Sequence, residues 1–222
     1  MPISESKILG KGIYTVSEAA RYSGLKFATV NRWVFGYREH LGIVDPDLPR
    51  IDGDRAISFL TLIELCLMGR FTKEGLPARK LRAVAEKIAR EKEIVHPFAF
   101  QRLRTDGKEV YLFEDDEYRQ ISGKHEDNRV WKHIVEPFFR EIEFRDEYAH
   151  RWFPPSGNKM VMLDPDIRFG EPVVKDTRIG TKNIINLVKA GDSLDSIAKY
   201  YDLDLKQVKA ATRFEERLLK TA

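Results

Sequence analysis

The chain has 222 residues, 42% hydrophobic and 33% charged, the composition of a folded globular protein, which excludes the disordered and membrane-spanning classes. A single cysteine, Cys66, excludes an internal disulfide framework and any cysteine-rich zinc site. Net charge is +3 overall, but residues 1–92 hold 16 Lys+Arg against 11 Asp+Glu, while residues 93–158 hold 10 against 14. The positive excess therefore lies at the N-terminal end. No apolar run approaches the ~18 residues of a bilayer span, and the start lacks the basic-then-apolar profile of a signal peptide. A cytoplasmic protein without membrane contact is expected.

The stretch from Tyr14 to Val34 reads as helix, tight turn, helix. Thr15 and Glu18 have capping-box spacing, and Val16, Ala19 and Ala20 give the first helix a small apolar face. Gly24 stands where a left-handed residue would end it. The second helix, from about Phe27, buries Val30, Trp33 and Val34, which leaves Lys26, Ala28, Thr29, Asn31 and Arg32 facing outward. These residue types reach phosphates and base edges in a major groove. A plain two-helix corner with a solvated basic face is the simpler alternative.

Asp52-Gly53 is a hairpin turn signal, placing Arg50 and Arg55 on a wing-like hairpin or on an ordinary surface one. Phe59 to Phe71 follows as an almost wholly apolar helix, broken only by Thr61, Glu64 and Arg70, and Cys66 inside it reads as a buried small hydrophobe. Pro77 opens another helix with an apolar stripe of Leu81, Val84, Ala85 and Ile88. From His96 the pattern alternates and turns at Asp106-Gly107. A short helix is expected over Val130 to Val135, then a strand pair in FFREIEF and AHRWF. The aromatics Phe98, Phe100, Tyr111, Phe113, Trp131, Phe138 and Phe139 are more than a small linker buries alone, so a dimer surface is expected there. Pro154 to Asn158 marks a boundary.

Beyond it, strands at Met160–Leu163 and Val173–Val174 flank a turn, and three helices follow. Thr181 and Ser193 are expected as caps of the first two, and Gly191 as the end of the first. The fold class is therefore mainly α with small β hairpins (α+β). The expected domains are a winged helix-turn-helix unit (1–92), a mixed linker or dimerisation region (93–158) and a C-terminal trihelical domain (159–222).

Tyr14–Val34, with RAISFLTLIEL after the hairpin, resembles winged helix-turn-helix domains of the MerR-like kind, closest to the DNA-binding half of certain VapB-type antitoxins. The C-terminal segment resembles a prokaryotic domain long of unknown function, through Asp164-Pro165 and the run Gly170-Glu171-Pro172-Val173-Val174-Lys175-Asp176-Thr177-Arg178-Ile179. Asp176 stands where that family usually has Gly, and Asp tolerates a left-handed backbone better than most residues. The resemblance implies a DNA-binding antitoxin that represses its own operon and masks a PIN-like ribonuclease toxin. It would act as a homodimer on a double-stranded operator. Thr29, Asn31 and Arg32 would face bases, and Arg21, Lys26, Arg38, Arg50 and Arg55 phosphates. Gly170, Pro172, Thr177 and Arg178 would form the structural loop of a partner-binding module, with Lys182, Asn186, Lys189 and Lys199 on its exposed face.

Five scattered histidines lack metal-ligand spacing, and no Walker loop, G-x-S-x-G, H-E-x-x-H or G-x-G-x-x-G occurs. Asp164 and Asp166 read as loop carboxylates that solvate or cap. No catalytic residue, metal or cofactor is expected, and a small hydrolase would need a cluster the pattern does not offer. The alternative reading is a stand-alone MerR-like regulator whose C-terminal unit binds a small molecule or a second DNA site.

Overall fold

A computed structural model describes residues 10–100, 103–105, 110–114, 117–120, 137–155 and 158–220, with the strands between 103 and 120 given by backbone course alone. The architecture is α+β: helices carry most of the core, and the strands form small antiparallel sheets. Helix α1 (Val16–Ser23) begins at Thr15, whose hydroxyl accepts from the Glu18 N–H at 3.1 Å while the Glu18 carboxylate accepts from the Thr15 N–H at 3.1 Å. The capping box is therefore complete. Gly24, at φ 67°, closes α1, and helix α2 (Phe27–Phe35) starts three residues later.

Strand β1 (Tyr14–Thr15) pairs with β2 (Ala56–Ile57), joining the entry to α1 to the segment that leads into helix α3 (Phe59–Lys73). Helix α3 is the centre of the first unit. Leu62, Ile63, Leu65, Leu67, Met68 and Phe71 are wholly inaccessible, each worth about 1.5–3 kcal/mol of burial. Cys66 is buried among them as expected, and burial pushes its thiol pKa up. Helix α4 (Ala78–Lys92) buries Leu81, Ala85 and Ile88, with Pro77 just outside its first turn.

In the middle region, β3 (Leu103–Thr105), β4 (Val110–Glu114) and β5 (Glu117–Gln120) form an antiparallel three-strand sheet. The sequence pattern had offered only the first hairpin, and β5 goes beyond it. The turn expected at Asp106-Gly107 and the helix expected over Val130 to Val135 lie outside the described residues. The expected strand pair is present as β6 (Ile142–Arg145) and β7 (Tyr148–Trp152), bulged between Glu143 and Phe144. Phe98, Phe100 and Phe138 are buried in the same cluster as the α3 side chains, so these three rings need no second subunit to cover them.

The last segment contributes β8 (Val161–Met162), β9 (Val173–Val174), α5 (Thr181–Ala190), α6 (Leu194–Tyr201) and α7 (Leu205–Lys220). Its own core is small: Val174, Ile184, Ile197, Ala198, Val208 and Ala211. Ser193 caps α6 and Gly191, at φ 103°, ends α5, both as expected. Thr181 is not a cap. Gly180 takes that position, and the Thr181 hydroxyl is buried between the Pro172 carbonyl and the Glu215 carboxylate. The buried stripe of α7 ends at Leu218, and Leu219 is exposed.

This segment is joined to the first one at several points. Leu163 and Trp152 exchange backbone hydrogen bonds at 2.9 and 3.0 Å, and Leu163 lies in the large core cluster. The Tyr14 hydroxyl, buried and held protonated chiefly by that burial, donates to the Gly170 carbonyl at 2.8 Å. Tyr22 of α1 stacks on Phe214 of α7 with ring centroids 6.4 Å apart.

Candidate nucleic-acid interface

The outward face of α2 is set by what the helix buries. Val30, Trp33 and Val34 are nearly inaccessible, and the chain after the helix folds back so that Ile43 and Val44 both donate to the Trp33 carbonyl, at 2.5 and 3.1 Å. That return needs Gly42, where a Cβ would lie 2.3 Å from the Val34 carbonyl oxygen. Lys26, Ala28 and Arg32 are left exposed, and Thr29 and Asn31 half-buried. The α2 N-terminus has no side-chain cap and no acidic residue in its first turn, so its free N–H groups and partial positive charge face solvent unopposed.

The wing-like turn is present but short. Ile51 and Asp54 exchange both backbone hydrogen bonds, at 3.0 and 2.9 Å. Between them Asp52 (φ 51°) and Gly53 (φ 86°) supply the two positive-φ positions of a type I′ turn. The hairpin stops at that one bridge because Ala56 and Ile57 leave it to pair with β1. The Arg50 guanidinium donates to the Gly53 carbonyl at 2.8 Å and closes the turn.

Arg55, expected among phosphate contacts, lies 4.8 Å over the Phe35 ring and donates to the Asn31 amide oxygen at 2.6 Å. Arg38, at φ 54°, sits exposed in a second tight turn, its guanidinium 5.2 Å from the exposed Tyr37 ring. Arg21 stands apart. It lines a crevice with Lys73, Trp152, Phe214 and Arg217 that has no α2 residue among its walls.

The loop that carries this turn is anchored by an ionisable triad invisible in the sequence pattern, with His96 and Glu64 buried and Asp47 half-buried. His96 Nδ1 is 3.0 Å from Glu64 of α3, and its Nε2 is 3.4 Å from Asp47 of the loop. Burial opposes the imidazolium, yet the Asp47 and Glu64 carboxylates together raise the His96 pKa to about 9. Burial holds Glu64 above the usual carboxylate range. Asp47, although burial acts to raise it, is held low by His96 and Ser58.

His150, Asp164 and Asp166 come together despite their uninformative spacing, and they are the metal-ligand-like group of the described residues. His150 Nε2 is 3.9 Å from Asp164 Oδ2 and 3.7 Å from Asp166 Oδ2. Each of those oxygens already accepts from an arginine, Arg151 at 2.5 Å and Arg145 at 3.1 Å. Two guanidinium charges at the same oxygens oppose a cation, so the cluster is an ion-pair junction. The other Asp164 oxygen accepts from the Asp166 N–H at 2.9 Å, the capping role expected of a loop carboxylate.

In the C-terminal motif, Gly170 adopts φ 86° with its α-carbon so close to Tyr14 that a Cβ would stand 2.2 Å from the hydroxyl oxygen. Asp176 adopts φ 63°, the left-handed turn that this residue type was expected to tolerate. Thr177 ties the turn by donating to the Val174 carbonyl at 2.8 Å and accepting from the Ile179 N–H at 3.0 Å. Arg178 makes no such tie. It is exposed, since the Thr177 hydroxyl already satisfies the turn. Lys182 is not part of a free face: its ammonium is 2.9 Å from Glu18. That contact and the Thr15 N–H hold the Glu18 pKa below its ordinary value although burial acts to raise it. Asn186, Lys189 and Lys199 remain exposed.

The fold is shared with a solved structure. The X-ray crystal structure of Rv2018 from Mycobacterium tuberculosis matches with a TM-score of 0.69, over 89% of this chain and 96% of that one, at 23% sequence identity. The profile of a family described as "Protein of unknown function (DUF433)" matches residues 161–214. In sequence the chain is antitoxin-like. It is 26% identical to the M. tuberculosis protein named "Putative antitoxin VapB45", across 90% of this chain and 92% of that protein. It is also 22% identical to "Uncharacterized protein Rv2308" of the same organism, across 97% and 94%. Among the described residues no helix is long and apolar enough to cross a membrane.

Proposed function

We propose that the chain is the DNA-binding antitoxin of a type II toxin–antitoxin pair, repressing its own operon and neutralising a PIN-like ribonuclease. The observation that carries the reading is the antitoxin likeness along nine-tenths of the chain. The open face of α2 supports the DNA half of the proposal. Lys26 and the uncapped N-terminus would meet phosphates, and Thr29, Asn31 and Arg32 would meet base edges in the major groove. One N-terminal unit carries a small positive excess, so two copies about one DNA turn (~34 Å) apart would bind a two-fold operator. The exposed side of the C-terminal helices, with Asn186, Lys189 and Lys199, would meet an acidic surface of the toxin. No step of this function calls for a cofactor or a catalytic group.

The DNA half is tested by gel retardation of the chain's own promoter fragment over a salt series. A specific, salt-dependent shift that Arg32→Ala weakens supports it. Binding no tighter than to unrelated DNA of equal length refutes it.

A further inference from the structure

We infer that Asn31 and Arg55 form one joined reader, weighted toward donors, that selects guanine over adenine at the base facing α2. The inference rests on the DNA-binding reading of α2 and names the base edge that the site recognises.

Asn31 and Arg55 are 24 residues apart, one on the helix and one at the foot of the turn, yet the guanidinium donates to the Asn31 amide oxygen at 2.6 Å. A guanidinium has donors only, so the contact fixes the amide orientation: the oxygen is turned to Arg55 and the NH₂ away from it. Arg55 is itself placed. Its guanidinium lies 4.8 Å over the Phe35 ring, and the next residue, Ala56, is registered against Thr15 in the β1–β2 pair. Among the described residues no carboxylate is paired with Arg55, so its charge is not cancelled.

A free asparagine reads adenine by accepting from the N6 amino group while donating to N7. Here one lone pair of the accepting oxygen is taken by Arg55, and the positive charge beside it disfavours a second donor at the other. What the pair presents outward is the Asn31 NH₂ and the remaining guanidinium N–H groups. Guanine offers two acceptors in the major groove, N7 and O6, whereas adenine offers one acceptor beside an amino donor. The exposed Arg32, and Lys26 at the helix start, add only donors. The Thr29 hydroxyl is the acceptor in the set that no cation engages.

The experiment uses the full chain and its promoter fragment, with guanines in the protected site replaced by 7-deazaguanine or adenines by 7-deazaadenine. The expected result is a loss of about tenfold or more in affinity with 7-deazaguanine and under about threefold with 7-deazaadenine. Arg55→Met keeps an unbranched side chain on Phe35 and frees the Asn31 oxygen. Its preference for the guanine site over a guanine-to-adenine variant should fall by about tenfold, with the fold checked by circular dichroism. Equal losses with both analogues, a larger loss with 7-deazaadenine, or an Arg55→Met protein that keeps its base preference overturns the inference and leaves the DNA reading standing. A wild-type chain that does not retard the fragment overturns both.

Discussion

Raising the pH from 6.5 to 9.5 should unfasten the loop that carries the Arg50–Arg55 turn. His96 is buried between Glu64 and Asp47, and its pKa rises from an ordinary 6.5 to about 9. A group raised on folding contributes stability that is fully present below its unfolded pKa and lost as the pH passes its folded one. The shift corresponds to about 3 kcal/mol, all of it lost between pH 6.5 and 9. That is a large part of the 5–15 kcal/mol that typically separates folded from unfolded domains. Tyr14 and Tyr22 do not titrate in this window, since burial first of all drives both upward. Urea denaturation at half-unit pH steps, with His96→Gln as the control, measures the effect. The wild-type free energy should fall across the window and the His96→Gln curve should stay flatter. A wild-type stability that is constant or rising from pH 6.5 to 9, or a variant with the same slope, refutes the reasoning.

Three further outcomes follow from the geometry. Gly170→Ala should cost more than about 2 kcal/mol in urea denaturation, because it meets the Tyr14 hydroxyl at 2.2 Å and φ 86° is strained for a side chain. Asp176→Gly should stabilise the chain by up to about 1 kcal/mol, since φ 63° is free for glycine and the lost Lys175 contact is on the surface. In retardation assays Arg32→Ala should cost about 1–3 kcal/mol on the specific site, whereas Lys26→Ala should weaken all sequences alike and lower the salt slope by about one unit.

What the sequence made legible is local. The Thr15–Glu18 box, the Gly24 stop, the Ser193 cap and the buried stripe of α2 are each settled within a few residues, where side-chain chemistry and helical period decide the outcome. What it hid is distant. Tyr14 and Gly170 are 156 residues apart, Glu18 and Lys182 164, and His96 and Glu64 32. A capping pattern at Thr181 misled because its hydroxyl is claimed by Glu215, 34 residues on. Arg55 looked like one more phosphate contact because nothing in its neighbourhood announces Asn31. The charge on α2 was readable, whereas the pairing that decides which atoms face outward was not. The contacts across the chain also change how the C-terminal unit should be probed. A truncation at Asn158 would strip Leu163 from the large core and Gly170 from Tyr14, so charge reversal at the exposed Lys189 and Lys199 is the cleaner perturbation.

The central claim, that this chain neutralises a nuclease encoded beside it, is tested most directly by co-expression with the product of the adjacent gene. The account predicts that the toxin alone arrests growth, that the full chain restores it, and that the two co-purify as a complex loosened by Lys189→Glu with Lys199→Glu. A neighbour whose toxicity the full chain does not relieve, and which does not co-purify with it, would contradict the account.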